Sequence, residues 1–263
     1  MEKRNIKLVL SYDGRNYHGW QKQISHPSVQ GELEKALDQI FKENLKLDGI
    51  GRTDSGAHAL SYTANFLTRN HSIPANKILL ALNSMTPKDI RIISTEEVQP
   101  GFHSRFSAKA REYIYFLTNA RSLPPFLSSY CHLEKQDLDS EKLAEICALF
   151  TGKHNFKNFC SSYKDAVNFE REIFYFHVKA WKNSETGFSS IFNNTGYTYL
   201  FFIKGSSFLK GMIRTIISAC ISYSLGDIDL KTTKDALDNN TPLEARFRVP
   251  VSAEGLYFKR GYF

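Results

Sequence analysis

Residues 6–14 read IKLVLSYDG, a run in which every second side chain is apolar and which ends at an Asp-Gly turn signal. The alternation predicts a strand with one buried face. Residues 28–45 follow with apolar side chains at three- and four-residue spacing, which predicts an amphipathic helix. A strand followed by a helix that packs on it begins an α/β unit.

The same succession of elements continues through the first part of the chain. A second strand is predicted around residues 62–66, a second helix opens at Pro74, and a third strand covers residues 89–94. The order is therefore β-α-β-α-β with short connections. We assign residues 1–105 to an N-terminal α/β domain.

The second half of the chain repeats this pattern without obvious sequence identity. We predict a C-terminal α/β domain over residues 106–263, so that the fold class is α+β with two domains on a common plan. Its strands are predicted at residues 111–117, 173–180 and 197–203, and its helices at residues 140–150 and 208–225.

The charge balance favours a polyanionic partner. Thirty-four Lys and Arg oppose 27 Asp and Glu, which leaves a formal net charge of +7. Nucleic acid is the first candidate for a basic globular chain. This excess alone identifies neither the site nor the reaction.

The cysteines and the longest apolar stretch predict a cytoplasmic protein. The four cysteines are scattered without a Cys-x-x-Cys pair, and the charged residues 1–7 do not resemble a secretory leader, so we expect reduced thiols. Residues 208–225 are apolar but interrupted by Lys210 and Arg214, which indicates a core helix. We expect no membrane partner.

Residues 51–58, GRTDSGAH, form the densest polar stretch. Two glycines around a polar centre predict a tight loop that presents side chains. In one interpretation the Asp54 carboxylate only bonds its own turn. In the other, Asp54 is a nucleophile or general base, held by the hydroxyl groups of its two neighbours and kept ionised by Arg52 or another cation. We expect His58 to be structural.

Two further stretches interleave aromatic with polar residues. Residues 12–21, YDGRNYHGWQ, suit stacking on nucleotides, but Tyr17 and Trp20 could equally cap the edge of the core. Tyr113 and Tyr115 share one face of a predicted strand. That face is a base-stacking platform or simply core.

A pair of cations lies in the last predicted long helix. On a helix Lys210 and Arg214 are one turn apart and share a face. Such a pair could be solvated, could neutralise a buried carboxylate, or could follow a phosphate backbone.

The sequence lacks the familiar cofactor and metal motifs. It contains no Walker-type loop, no dinucleotide-binding glycine motif, no zincin or hydrolase signature, and no Cys/His metal spacing. We therefore expect no cofactor and no metal. A cofactor-free enzyme or a plain binding protein remains.

Five blocks follow one another in the first half of the chain. In this order and spacing they resemble the TruA family of tRNA pseudouridine synthases, and the likeness extends over nearly the whole chain. The blocks are YDG at residues 12–14 with GWQ at 19–21, SVQGELE at 28–34, GRTDSG at 51–56 with His58, Asn83 with residues 89–90, and FHSRF at 102–106.

The resemblance implies a fold and a reaction. The fold would be two ferredoxin-like, RRM-like subdomains whose antiparallel sheets join into one extended sheet flanked by helices. The reaction would be the isomerisation of uridine to pseudouridine at positions thirty-eight to forty of the tRNA anticodon arm. The family also implies a homodimer with tRNA lying across a basic cleft.

The resemblance also implies roles for individual residues. Asp54 would be the catalytic aspartate, Arg214 would ion-pair with it, and Tyr113 would stack on the target base. Arg52 would occupy the space that the flipped nucleotide vacates. The basic residues that we expect to contact phosphates are Arg15, Lys22, Arg69, Arg105, Lys109 and Lys210.

The chain departs from the family pattern in two places. Lys210-Gly211 stands where Tyr-His is usual and Thr215 where Asn is usual, and the segment 249–256 is a loosened form of the Ala-Pro-rich lead to Gly-Leu. Because Arg214 is kept, we expect the chemistry to survive. The alternative is a tRNA-binding or tRNA-folding paralogue with little or retargeted turnover.

Overall fold

The computed structural model describes residues 2–161, 168–185, 195–238 and 241–263. The chain forms two compact units. The first unit is Met1–Arg111 with Tyr257–Phe263, and the second unit is Glu112–Leu256. The folding domains that we assign from the sequence stay a prediction, because compactness does not measure independent stability.

The described residues contain ten strands and five α-helices, which confirms the α+β class. The strands are β1 Arg4–Tyr12, β2 Asp48–Gly49, β3 His58–Thr68, β4 Ile90–Val98, β5 Ala110–Thr118, β6 His132–Leu133, β7 Gly152–Asn155, β8 Glu170–Lys182, β9 Tyr197–Gly205 and β10 Leu256–Tyr262. The helices are α1 Val29–Phe41, α2 Ala75–Met85, α3 Ser140–Leu149, α4 Met212–Leu225 and α5 Leu230–Asp238. None of these helices combines the length and the apolar character that crossing a membrane requires.

The sheet of the first unit has the strand order β4-β1-β3-β10, with β2 beside β3. Strand β1 is antiparallel to both neighbours, whereas β10 runs parallel to β3. The alternation in β1 buries Ile6, Leu8 and Leu10 completely, as the sequence predicts. Leu10 lies opposite Tyr62 on β3, so both strands supply the same core face.

Helix α1 begins as predicted but ends earlier. Its N-cap is Ser28, whose Oγ accepts the N–H of Gly31 at 3.3 Å. We expected the helix to reach residue 45, but Lys42 adopts a left-handed backbone with φ 56° and ends it. Leu45 then donates its N–H to the Asp38 carboxylate at 3.1 Å, so the segment after the helix remains fixed.

The sheet of the second unit has the strand order β5-β9-β8-β7, with β6 parallel to β5. Strands β8 and β9 are antiparallel, and Phe176 lies opposite Ile203. These two side chains and Phe201 are buried. The predicted strands and helix α3 of this half are confirmed within a few residues.

Helix α4 begins at Met212, four residues later than predicted. Gly211 has φ 69°, a left-handed conformation that cannot continue into a right-handed helix. The expectation that Lys210 and Arg214 share one helix face is therefore wrong. Lys210 lies before the helix, where its carbonyl accepts the N–H of Ser161 at 2.9 Å.

Three further elements lie outside the sequence prediction. Strand β7 has only four residues, and helix α5 buries Thr233, Ala236 and Leu237 on one face. Strand β10 buries Leu256 and Phe258 at alternate positions before the polar Lys259 and Arg260. A strand as short as β7 depends on its neighbours more than on its own apolar pattern.

Candidate active site

A single hydroxyl group holds the middle of the loop at residues 51–56. The Oγ1 of Thr53 accepts the backbone N–H of Trp20 at 3.1 Å and bonds the hydroxyl of Tyr12 at 2.9 Å. Tyr12 ends β1, and Trp20 lies in the segment that follows it. The loop that carries Asp54 is thus attached to the end of the first strand.

The far side of the loop is attached to the same segment. The carbonyl of Tyr17 accepts the N–H of Gly56 at 3.2 Å and the hydroxyl of Ser55 at 3.4 Å. The hydroxyl groups on either side of Asp54 therefore bond residues 12–20 and fix the backbone around the carboxylate.

Two glycines allow the close approach of these segments. A Cβ on Gly14 would lie 1.9 Å from the carbonyl oxygen of Ala57. A Cβ on Gly19, where φ is +85°, would lie 2.3 Å from the carbonyl oxygen of Thr53. Only glycine fits at either position, so the backbone contact itself is built into the sequence.

Two aromatic side chains, Tyr62 and Trp20, support the start of the loop. The hydroxyl of Tyr62 donates to the carbonyl of Gly51, and the rings of Tyr62 and Trp20 stack with centroids 4.2 Å apart. Trp20 is only 2% exposed. This residue packs in the core, and the interpretation that it stacks on nucleotides is wrong.

Tyr17 is also a core residue. It is 5% exposed, and its hydroxyl donates to the Asp89 carboxylate at 2.6 Å. Burial, followed by the hydrogen bond to Asp89, raises the pKa of this phenol. The side chain therefore stays neutral and structural rather than available to a base.

His58 lies at the start of β3 and is 2% exposed. Its Nδ1 accepts the N–H of Gly14 at 3.1 Å, and its ring stacks on Tyr257 at 4.8 Å. These contacts agree with the structural role that the sequence predicts. They also add β10 to the support of the loop.

Arg111, which the sequence analysis did not single out, joins two loops of the first unit. Its Nη2 donates to the carbonyls of Ile50 at 3.1 Å and Arg105 at 2.6 Å, and its Nη1 donates to that of Ala108 at 3.2 Å. Ile50 directly precedes the loop of residues 51–56. A guanidinium that satisfies three carbonyls leaves no pattern in the sequence, because its partners are set by the fold.

In the second unit, Arg214 occupies the first turn of α4 and is partly buried. Its Nε donates to the carbonyl of Val251 at 2.6 Å, and the N–H of Val251 returns to the carbonyl of Arg214 at 3.4 Å. The guanidinium is therefore oriented through one edge by the segment that precedes β10.

The two tyrosines of β5 are both buried. Tyr113 is 8% exposed and meets Phe208 edge to face at 5.3 Å. Tyr115 is fully buried and donates its hydroxyl to the carbonyl of Ser252 at 3.0 Å. Burial raises the pKa of Tyr115, so this ring is core and the idea of a two-tyrosine platform is wrong.

The candidate phosphate contacts differ in how firmly they are engaged. Arg15 pairs with Asp13 at 2.9 Å. Lys22 pairs with Glu34 at 2.8 Å, and this hydrogen bond raises the pKa of the lysine. The remaining candidates, Arg69, Arg105, Lys109 and Lys210, are exposed or partly exposed.

The structure brings some of the predicted site residues together. Arg52, which is exposed, and Asp54, which is partly buried, lie in the loop of residues 51–56 in the first unit. Tyr113 and Arg214 both belong to the second unit. Hydrogen bonds within the first unit hold the loop, and in the second unit Val251 holds Arg214 while Phe208 packs on Tyr113.

A family model described as tRNA pseudouridine synthase matches residues 8–107 and 146–263. Proteins named tRNA pseudouridine synthase A are similar over almost their full length. The one from Brachyspira hyodysenteriae is 35% identical over 260 residues, covering 98% of each chain. The one from Clostridium botulinum strain Eklund 17B is 36% identical over 262 residues, covering 99% of this chain and 100% of the relative.

These matches define the class of the protein, an isomerase that acts on tRNA. More particularly, the chain belongs to the tRNA pseudouridine synthase family. The loop of residues 51–56 lies within the matched residues. So does the rest of the first unit, except residues 1–7 and 108–111.

Proposed function

We propose that this protein isomerises uridine to pseudouridine at positions thirty-eight to forty of the tRNA anticodon arm, with Asp54 as the catalytic carboxylate. The observation that carries the proposal is the attachment of the Asp54 loop on both sides, through Thr53 at 2.9 and 3.1 Å and through Tyr17 at 3.2 Å. A carboxylate on a fixed backbone suits catalysis, which depends on accurate placement.

The proposed reaction is an isomerisation and needs no redox cofactor. The bond between N1 and C1′ of the ribose breaks, the base turns, and C5 bonds to C1′; C5 then loses its proton and N1 carries one in the product, so that no atom is gained overall and nothing is oxidised. A carboxylate can take part covalently, at the sugar or at C6 of the base, or can stabilise the charge that develops at C1′. Asp54 is partly buried, which supports a role at a site with restricted access of water.

Arg214 and Tyr113 complete the proposed site. In this proposal Arg214 pairs with Asp54 and keeps it ionised, because a guanidinium stays charged when it is desolvated. Its Nε donates to the carbonyl of Val251, which fixes the orientation of the guanidinium. Tyr113 stacks on the extruded uracil, and the exposed Arg52 takes the place that the nucleotide leaves.

The excess of basic residues supports tRNA as the partner. With a net charge of +7, several phosphates can be neutralised at once, and such contacts fix the position of an RNA without reading its sequence. We further propose that the enzyme works in the cytoplasm as a homodimer, with one tRNA contacting both copies. Binding should therefore weaken steeply with added salt.

The test compares Asp54→Asn with the parent on unmodified tRNA. We expect the variant to bind tRNA within about twofold of the parent and to form no pseudouridine, as read by reverse-transcription mapping. Asp48→Asn is the matched control, because Asp48 is an exposed carboxylate six residues earlier in the same unit. We expect it to leave conversion unchanged.

Two results would contradict the proposal. Equal conversion by Asp54→Asn and the parent would remove the carboxylate from the chemistry. Tight binding by the parent without pseudouridine at any position would favour the tRNA-binding alternative. Mapping the modified position within the anticodon arm tests the assignment to thirty-eight, thirty-nine and forty separately.

A further inference from the structure

Phe106 is an aromatic residue on the loop that joins β4 to β5. Its side chain is 75% exposed. Single apolar residues on a surface are common and by themselves require no explanation. Phe106 differs in two respects, namely the way its loop is held and the charges around its ring.

Two buried asparagines fix the loop before Phe106. The side-chain amide of Asn5 on β1 donates to the carbonyls of Phe102 at 2.7 Å and Gln99 at 3.2 Å. On β3, Asn65 accepts the N–H of Ser104 at 2.8 Å and donates to the Asn5 side chain at 3.0 Å. Buried amides with all these partners make a rigid anchor.

The loop is also closed on itself and held behind Phe106. His103 donates its N–H to the Ser107 hydroxyl at 3.0 Å, and its Nδ1 accepts the N–H of Arg105 at 3.1 Å. Arg111 then bonds the carbonyls of Arg105 and Ala108, as described above. The exposed ring therefore belongs to a fixed loop, which lowers the entropy lost on binding.

The surroundings of the ring are cationic and polar. The Arg105 guanidinium lies 5.5 Å from the centre of the Phe106 ring, and the His103 ring lies 4.4 Å from it in a tilted arrangement. On its far side His103 meets the Asp48 carboxylate, 3.7 Å from its Nε2. An aromatic ring beside a guanidinium is the combination that binds an unstacked base together with its phosphate.

The loop is also tied to the candidate active site within the first unit. The Nη2 of Arg111 bonds both Arg105, next to Phe106, and Ile50, which precedes the Asp54 loop. An RNA base bound at Phe106 would thus be held by a loop that shares an anchor with the catalytic one.

We propose that Phe106 stacks on an RNA base adjacent to the target uridine and replaces the stacking partner which that base loses when the uridine is extruded. The proposal rests on the proposed function, because it takes an extruded tRNA nucleotide as the substrate. Extrusion costs unstacking energy, and a protein ring can recover part of it. Arg105 holds the neighbouring phosphate.

The first experiment changes the ring. We expect Phe106→Ala and Phe106→Leu to lower kcat/KM for pseudouridine formation about tenfold, the ratio that corresponds to about 1.4 kcal/mol. Phe106→Trp should retain activity because it keeps a planar surface. Phe126→Ala is the matched control, since Phe126 is 64% exposed in the second unit, and it should behave as the parent.

The second experiment locates the base. Each base beside the target uridine is replaced in turn by an abasic nucleotide, and binding is measured with Asp54→Asn protein so that the RNA is not converted. At the position that stacks on Phe106, the affinity loss caused by Phe106→Ala should disappear, as in a double-mutant cycle. With 2-aminopurine at that position, binding should quench the fluorescence when Phe106 is present, and the quenching should be lost in the Phe106→Ala variant.

Three results would overturn the proposal. The first is parent-like kcat/KM for both Phe106→Ala and Phe106→Leu. The second is an affinity loss that persists with every abasic RNA. The third is a change of oligomeric state in Phe106→Ala by sedimentation, which would assign the ring to a contact between copies. Parent-like conversion by Asp54→Asn would contradict the proposed chemistry, whereas the abasic and 2-aminopurine measurements report only whether a base stacks on Phe106, so the two failures are distinguishable.

Discussion

The two units hold their candidate site residues in different ways. In the first unit, the side chain of Thr53 bonds Trp20 and Tyr12, which are 33 and 41 residues away in the sequence. Gly14 and Gly19 allow the backbones to approach closely there. In the second unit, Tyr115 bonds the carbonyl of Ser252, 137 residues away, and Arg214 bonds that of Val251. The first arrangement depends on few residue types, whereas the second depends on the fold of the whole unit.

This difference predicts where each unit is sensitive to substitution. The first unit should fail when side chains are added at its close backbone contacts or when the Thr53 hydroxyl is removed. The second should tolerate changes of side-chain type at residue 251, because Arg214 uses only the backbone of Val251. Graded substitutions can therefore test the contrast.

The largest effect is expected for Gly19→Ala in the first unit. The new Cβ would lie 2.3 Å from the Thr53 carbonyl oxygen at a residue with φ +85°. Clash and backbone strain together should lower the free energy of unfolding by about 3 kcal/mol and abolish pseudouridine formation. Chemical denaturation and a tRNA conversion assay measure both.

Gly101→Ala is the control for this substitution, because a Cβ there meets nothing within 4 Å. It should leave stability and conversion unchanged. If Gly19→Ala behaves like Gly101→Ala, the close contact between the two segments is not what holds the Asp54 loop.

Thr53→Val should have the next largest effect. The change keeps the shape but removes the hydroxyl that serves Trp20 and Tyr12, at a cost of about 2 kcal/mol for two lost hydrogen bonds. Since Asp54 is then less firmly placed, we expect kcat/KM to fall about tenfold or more. Thr53→Ser keeps the hydroxyl and should retain most of the stability and most of the kcat/KM. A Ser variant as impaired as the Val variant would show that the Thr53 hydroxyl does not hold the Asp54 loop.

In the second unit, Gly211→Ala should cost about 1.5 kcal/mol from left-handed strain and a close contact. Its Cβ would lie 2.5 Å from the Ser161 Oγ. Gly226→Ala is the matched control, because φ is +82° there but nothing lies within 4 Å. Urea denaturation gives the free energy of unfolding of both variants, and the difference between them isolates the effect of the Ser161 contact. Equal losses of stability would show that this contact contributes nothing.

The smallest effect concerns pH and His132 in the second unit. Burial lowers the pKa of His132, whose Nδ1 lies 3.2 Å from the Ser252 hydroxyl. Below the ordinary histidine pKa of about 6.5 the unfolded chain takes up a proton that the folded one resists, so stability should fall as the pH drops through that range. We expect His132→Gln to reduce this slope in denaturation curves measured between about pH 7 and pH 5.

The parent serves as the reference for that measurement. A His132→Gln slope equal to that of the parent would mean that the acid sensitivity arises elsewhere.

The contrast between the units also explains how much the sequence predicts. The β-α-β-α-β order of the first unit follows from apolar periodicity, and the Asp54 loop stands out because its glycines and polar residues are contiguous. The sequence cannot show that Trp20 and Tyr17 are buried, since the same aromatic residues suit a core or a binding surface.

What the sequence does not predict in either unit has a common cause. Periodicity extends helix α4 back to residue 208 because apolar side chains continue there, although Gly211 takes a left-handed conformation that periodicity does not reveal. Strand β10 pairs with β3 from the far end of the chain, so its place depends on tertiary contacts. Arg111 likewise binds carbonyls, which every residue possesses.

The parallel pairing of β10 with β3 has a consequence for biosynthesis. Tyr257 and Phe258 lie beside His58 and Ala59, yet the entire second unit separates them along the chain. As the ribosome releases the polypeptide from its amino end, β3 therefore emerges long before its neighbour. Until translation reaches residue 257, the edge of β3 at His58 and Ala59 and one face of the His58 ring lack these partners, so the nascent first unit can be completed only after the second has been made.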